Sequence, residues 1–292
     1  MLNDREKKEV CVFIPCYNCE KYLERTIASL LGQTYQDFDI VIVDDGSTDN
    51  SFDVMQKLEK TDSRIKVYRN SINQGLGITR NLMFEYCSNY KYVALMDADD
   101  LCPINRLEIE YNYLKKNLDI TCVSGVLQYI NERDELGRIY DNGIYSVDDV
   151  KKVLVFKNCI ANGSVMLRME DLIKNNIRYR NEFFCAQDYM FFCELMQKCK
   201  IVRLPYILLY YRQREGNVTS SSLKQKKSRD ALLDKIHDYN FECCDIKLNY
   251  FERKILKCAF RDTYGQNAIL NLIFSISWKA FKYKHPEYRG LI

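Results

Sequence analysis

The sequence predicts an open α/β fold: a doubly wound, mostly parallel sheet flanked by helices, followed by a helical C-terminal extension. Three observations carry this expectation. Two apolar runs end abruptly in carboxylates, VIVDDGSTD (41–49) and YVALMDADD (92–100). Buried strands of a parallel sheet look like this where they deliver polar groups to the ligand-binding edge. Strand-like and helix-like segments alternate four times up to Lys116, the pattern of successive βαβ units. From Lys224 onward the apolar spacing becomes helical throughout.

The elements follow in order. Val10 to Pro15 is an apolar strand, and Cys19 to Leu31 carries Tyr22, Ile27, Leu30 and Leu31 near helical spacing. Ile40 to Val43 forms the second strand, and Asp49 opens a helix running to about Lys60. Ile65 to Tyr68 and Leu76 to Cys87 supply the third pair. Tyr92 to Met96 is the fourth strand, and Pro103, well placed in a first helical turn, opens a helix to Lys116. Beyond Ile120 the alternation fades. Thr121 to Ile130 and Ile139 to Asn142 read as a hairpin around the polar turn NERDELG. Gly163 to Leu167 is a short strand, Arg168 to Asn175 and Asp188 to Lys198 are helices, and Ile207 to Arg212 is an aromatic strand. The polar link NVTSSSLKQKK places a boundary near residue 220, giving units at 1–220 and 221–292.

The 292 residues, 47% of them hydrophobic, suffice for a full core. With 43 Lys+Arg against 40 Asp+Glu, the net charge of +3 gives no reason to expect a nucleic-acid partner. Thirteen cysteines form no Cys/His cluster with zinc spacing and read as reduced, buried thiols. The start, MLNDREKKEV, lacks the apolar core of a signal peptide, and Ala268 to Phe281 is too short and interrupted to span a bilayer. A cytoplasmic protein is expected. Residues 268–284, with Trp278 and flanking lysines, are a candidate peripheral contact with the inner face of the membrane. The competing reading packs them on the unit at 1–220 or in a homodimer.

The segments VFIPCYNCEKYLERTIASLLGQTY, DIVIVDDGSTDNS, NQGLGITRNLM and YVALMDADDLCPINRLE, in this order and spacing, resemble the inverting, nucleotide-sugar-dependent glycosyltransferases of family 2. The resemblance is strong over residues 8–115 and weaker over 120–219. It implies the GT-A fold, a Rossmann-like sheet flanked by helices. It also implies a UDP-sugar donor, a divalent Mg²⁺ or Mn²⁺ ion, and a glycan or lipid-linked saccharide acceptor in surface polysaccharide assembly. Asp45 would accept the N3–H of uracil, with Pro15 and Tyr17 against the base and Arg80 near base and phosphates. Asp99 would ligate the metal directly, while Asp97 would face the ribose or the metal shell, with Ala98 between them in the nucleotide site. Hard oxygen ligands suit such a cation, and carboxylates beside a diphosphate make sense chiefly through one.

Inversion needs a base for the acceptor hydroxyl. The family takes it from a Glu-Asp pair at a helix start; here the place reads Gln187-Asp188, so Asp188 is the expected base, with Glu182 and Glu194 weaker by position. Many relatives carry a histidine in the segment matching LYYRQREGNVTSS. This chain has only His237 and His285, which read as surface or interface residues, so Arg212 and Arg214 are the candidates to neutralise the diphosphate. Asp44 reads as a loop support, Ser47 and Asp49 as a turn and helix cap, and Asp100 as a cap before Pro103. Two rival readings stay open. A nucleotidyltransferase would need a glycine-rich or basic phosphate loop where this chain has CYNCEKY, and a silent binding module would retain the fold without the chemistry.

Overall fold

The computed structural model describes residues 8–214, 226–260 and 278–288. One sheet organises the chain, in the order β3-β2-β1-β4-β7-β5-β6 with β8 paired to β5. Strands β1 (Val10–Cys16), β2 (Phe38–Asp44), β3 (Ile65–Arg69) and β4 (Tyr92–Leu95) run parallel. β7 (Met166–Arg168) is antiparallel to both β4 and β5 (Ile120–Ile130). β5 also carries β6 (Leu136–Tyr140) antiparallel and β8 (Lys200–Arg212) parallel.

The apolar runs of β1, β2 and β4 are continuous because both of their faces are covered. Alternate residues enter two different cores. Val12, Ile14, Ile40 and Ile42 pack with Leu23, Ile27 and Leu30 of α1 (Leu23–Leu31) and with Leu107 and Leu114 of α5 (Arg106–Lys116). Cys11, Phe13, Val41 and Val43 face the other side, with α6 (Val147–Leu154), α7 (Met169–Lys174) and α8 (Gln187–Lys198). Met55 of α2 (Ser51–Thr61) and Met83 of α4 (Met83–Tyr86) fill these two cores respectively.

Several boundaries differ from expectation. The helix predicted over 76–87 is two pieces, α3 (Leu76–Asn81) and α4, separated at Leu82. The helix after Pro103 begins only at Arg106, because Leu101 bridges to Tyr210 and holds the preceding chain extended. α6 was not expected at all, although Ser146 caps it by accepting the Asp149 N–H at 3.1 Å. β8 is twice as long as predicted. Ser124 pairs with Arg203 and Val126 with Ile207, so exposed Pro205 and Tyr206 bulge out of the ladder and disguise its continuity.

Helices α9 (Lys226–Cys243) and α10 (Tyr250–Phe260) form the extension. It shares the core of the sheet rather than standing apart: Leu232, Ile236, Phe241 and Leu256 join the α8 cluster, with Trp278 and Phe281. Trp278 meets Phe156 edge to face at 5.2 Å and stacks on Phe281 at 5.1 Å. The expectation that His237 is a surface or interface residue is corrected. It is 1% exposed, with Nε2 2.8 Å from the Phe156 carbonyl, because α9 turns that face into the core. Of the membrane-contact segment, residues 268–277 lie outside the described residues, and Trp278 and Phe281 are buried within the chain. Among the described residues no helix is long and apolar enough to cross a membrane.

Candidate active site

The ends of β1, β2 and β4 and the start of α8 open into one cavity of about 710 Å³. Pro15, Tyr17, Asp45, Arg80, Asp97, Ala98, Asp99, Asp188, Arg212 and Arg214 all line it. Residues far apart in the sequence converge because parallel strands place their carboxyl ends along one edge.

At one end the second strand splits its two acids between different tasks. Asp44 is buried and supports the loop, accepting the Ser47 N–H at 3.1 Å and pairing with Arg69 Nε at 3.0 Å. Asp45 turns to the cavity and is oriented by three donors: Asn70 Nδ2 at 2.8 Å, Gln74 N at 3.0 Å and Gly75 N at 2.9 Å. Gly46 makes the turn that follows them with φ of 69°, and a Cβ there would sit 2.6 Å from the Ile72 carbonyl carbon. Asp49 accepts the Ser51 N–H at 3.0 Å and Ser47 Oγ accepts the Asn18 N–H at 3.0 Å, the cap and turn roles read from the sequence. Tyr17 projects beside this loop, 44% exposed.

In the middle, each carboxylate of the Asp-x-Asp turn is matched to an arginine. Arg80, buried and 5.6 Å from the centre of the Tyr179 ring, donates to Asp97 at 2.9 Å. Arg214 Nε donates to Asp99 at 2.6 Å. Burial raises the Asp99 carboxyl pKa, with Arg214 opposing. Arg212 departs from the expected phosphate role. Its side chain is fully buried, donating to the Asp99 carbonyl at 2.6 Å and the Asn131 carbonyl at 2.7 Å and pairing with Asp134 at 2.5 Å. Its guanidinium is held by the protein, which leaves Arg214 as the more accessible of the two. Asp100 is no helix cap either. It is 1% exposed, accepts the Arg212 N–H at 2.8 Å, and is pushed well above the usual carboxylate range by burial with Asp99 and Asp97 beside it.

Among the described residues no group of three or more His, Cys, Asp or Glu is placed to hold a metal ion. Two cavity-facing carboxylates do suit a hard cation whose remaining ligands come from diphosphate and water. Asp97 and Asp99 therefore fit a bound Mg²⁺ or Mn²⁺ as partial ligands.

At the third wall, Asp188 stands in the first turn of α8. Oδ1 accepts the Tyr189 N–H at 2.8 Å and Oδ2 accepts Asn158 Nδ2 at 3.1 Å. Burial raises its pKa, and Arg80 and the Tyr189 N–H pull the other way. Gln187, which stands where the family has glutamate, is 3% exposed; with its amide turned to suit its neighbours, the nitrogen donates to the carbonyls of Phe183 at 2.9 Å and Phe184 at 2.8 Å. An ionised glutamate has no proton to give these carbonyls. Glu182 is exposed and Glu194 pairs with Arg180, and neither lines the cavity.

Sequence reasoning missed several contributors. Asn158 holds the Asp188 carboxylate, and Tyr179, clamped at its backbone by Asn81 with bonds of 2.8 and 2.9 Å, packs against Arg80. Neither lies in a recognisable motif. Cys16 and Cys19 also line the cavity, and their Cys-x-x-Cys spacing was the signal. Contact with Cys19, together with burial, raises the Cys16 thiol pKa well above its usual value, which suits an inert, protonated thiol at that position.

Three comparisons bear on identity. WfgD of Escherichia coli, a UDP-Glc:alpha-D-GlcNAc-diphosphoundecaprenol beta-1,3-glucosyltransferase, is 27% identical over 253 residues, 86% of this chain and 95% of that one. Among solved structures, S. aureus TarS 1–349 in complex with UDP-GlcNAc superposes with a TM-score of 0.67 at 18% identity, covering 94% of this chain and 80% of that one. The mannosyltransferase PcManGT from Pyrobaculum calidifontis, in complex with GDP-Man and Mn²⁺, superposes with 0.63 at 15% identity, covering 97% and 76%. These likenesses establish the GT-A fold. The model of the glycosyl transferase family 2 domain matches residues 11–193, a span that runs from β1 into α8 and takes in Asp45, Asp97, Asp99 and Asp188. The chain belongs to glycosyltransferase family 2.

Proposed function

We propose that this enzyme transfers a hexosyl or N-acetylhexosaminyl group from a UDP-sugar to a hydroxyl of a glycan or lipid-linked saccharide, with inversion at the anomeric carbon. The observation that carries the proposal is the convergence of Asp45, the Asp97–Asp99 turn and Asp188 on one cavity from three separate elements. Asp45, fixed by Asn70, Gln74 and Gly75, is pre-oriented to accept a hydrogen bond from the uracil N3–H. Asp97 and Asp99 would hold the divalent cation, which when bound stabilises negative charge on the departing diphosphate. Arg214 lies at Asp99 and adds positive charge on the same wall.

Asp188 serves as the base. As the acceptor oxygen forms its bond to the anomeric carbon, the bond to the diphosphate oxygen breaks with its electron pair, and Asp188 takes the hydroxyl proton. A pKa raised by burial makes the carboxylate a stronger proton acceptor than an exposed aspartate. The activity of the E. coli relative, a glucosyl transfer to a diphosphoundecaprenol-linked sugar, supports a lipid-linked acceptor, and on that reading the enzyme works in surface polysaccharide assembly at the inner face of the membrane.

Thermal unfolding with a panel of nucleotide sugars, each with Mg²⁺, Mn²⁺ or EDTA, tests the reading. A true donor at a hundredfold excess over its Kd should stabilise the fold by about 2.7 kcal/mol, and chelation should remove most of that gain. If no uridine nucleotide sugar shifts the transition under any metal condition, the proposal fails.

A further inference from the structure

Beyond the donor site, the cavity continues along a wall of tyrosines that none of the assigned roles uses. Residues two apart on a strand share a face. Leu127 and Tyr129 of β5 therefore point the same way, and the register sets Leu127 beside Tyr140 of β6 and Tyr129 beside Tyr211 of β8. All four line the cavity. The Tyr129 ring lies 6.5 Å from Tyr140 at 69° and 5.9 Å from Tyr211 at 83°, so it stands edge-on between two rings. Arg138 steadies it, with the guanidinium 5.0 Å from the ring centre. Tyr140 keeps 42% of its surface exposed, a large apolar area for a side chain already seated in a cavity wall.

We infer that this wall is the platform for the sugar ring of the acceptor. The inference rests on the glycosyltransferase reading proposed above. The sheet order separates the wall from the base-binding end: from β1 the path crosses β4 and β7 before reaching β5. Three strand spacings are roughly 14 Å. A nucleobase held at Asp45 is thus too distant to be the occupant of the tyrosine wall, while Asp97 and Asp99 at the end of β4 lie between the two. A pyranose presents a face of C–H groups and a rim of hydroxyls. Tyrosine rings offer the complementary surface, a π face for the C–H groups and a phenolic tip for the rim. Lys157 and Asn158 line the same cavity, and Asn158 donates to Asp188, so a hydroxyl approaching the base meets polar groups that lead to it.

Saturation-transfer difference NMR on the full chain, with UDP and Mg²⁺ present, tests this. The probes are the methyl β-glycosides of glucose, galactose and N-acetylglucosamine. In the wild type, saturation should reach the uridine protons and the ring C–H protons of at least one glycoside. Tyr129→Leu and Tyr211→Leu should weaken the glycoside response by about tenfold, since removing a ring contact costs on that order. The uridine signals report whether fold and donor site survive in each variant. Tyr129→Phe, which retains the ring and loses only the phenolic tip, should bind the glycoside within about threefold of the wild type, well short of the leucine loss. Glycoside binding that survives both leucine variants overturns the platform. So does loss in Tyr129→Phe equal to that in Tyr129→Leu, or a wild type in which uridine protons are saturated and no glycoside is. Absence of both signals in the wild type overturns the donor reading itself, and the platform with it.

Discussion

Replacing Asp188 with asparagine isolates proton transfer from folding, because the structure lets both consequences be worked out. The amide is nearly isosteric with the carboxylate. Its oxygen can still accept the Tyr189 N–H. Its nitrogen, however, would then face Asn158 Nδ2, another donor, where Asp188 Oδ2 now accepts at 3.1 Å. Turning Asn158 over offers no escape, since its Oδ1 already accepts the Ile160 N–H at 3.0 Å. The variant thus loses one hydrogen bond, about 1 kcal/mol, while shedding the cost of desolvating a charge. The two offset one another, so stability should stay within about 1 kcal/mol of wild type. Catalysis has no such offset. Loss of a positioned general base costs about 10²–10⁴ in rate, equivalent to roughly 3–5 kcal/mol in the barrier. The assay is nucleoside diphosphate release coupled to acceptor glycosylation at saturating donor, alongside donor-induced thermal stabilisation. Donor stabilisation should persist while kcat collapses. A variant whose kcat stays within about tenfold of wild type would refute Asp188 as the base.

Other outcomes follow from the same geometry. Activity should fall as pH is lowered, because Asp188 must be ionised to take a proton. Since burial raises its pKa, the fall should begin at a higher pH than an exposed aspartate would give, as a kcat–pH profile will show. Arg212→Ala should destabilise the fold by about 2–4 kcal/mol in urea unfolding, as it empties a fully buried site and leaves the Asp99 and Asn131 carbonyls without their donor. Arg214→Ala should raise the donor KM, at a stability cost of about 1–3 kcal/mol because the largely buried Asp99 carboxylate loses a charge-assisted donor. Gly125→Ala should cost about 1–3 kcal/mol, because its Cβ would lie 2.4 Å from Leu208 Cγ in a fully buried contact, and the urea midpoint reads this directly.

The parallel half of the fold was legible because its strands are buried on both faces and therefore appear as unbroken apolar runs. The acids at their ends were legible for the same reason: a carboxylate after such a run has little reason to be there except a site. What the sequence concealed lies in longer-range geometry. Arg212 and Arg214 look equivalent two residues apart, yet β8 ends at Arg212, which is buried against the Asp99 carbonyl, while Arg214 lies past the strand at the Asp99 carboxylate. Asp100 resembles a cap, but the bridge between Leu101 and Tyr210 turns it inward to meet the Arg212 N–H. The Gln187 departure from the family pattern becomes intelligible only once the Phe183 and Phe184 carbonyls are seen to need a donor. His237, read as an outlying residue, lies in the core because α9 folds back onto α8, a contact no local pattern announces.

Arg212 reaches the Asp99 carbonyl on the Asp-x-Asp turn, the Asn131 carbonyl at the hairpin tip and, through Asp134, Arg25 of α1, itself 2.6 Å from that carboxylate. One rivet thus fastens the floor beneath the donor to the strand pair that carries Tyr129 and Tyr140. On the proposed reading, this rivet ties the donor seat and the acceptor seat to one scaffold, so that a change at Arg212 reaches both.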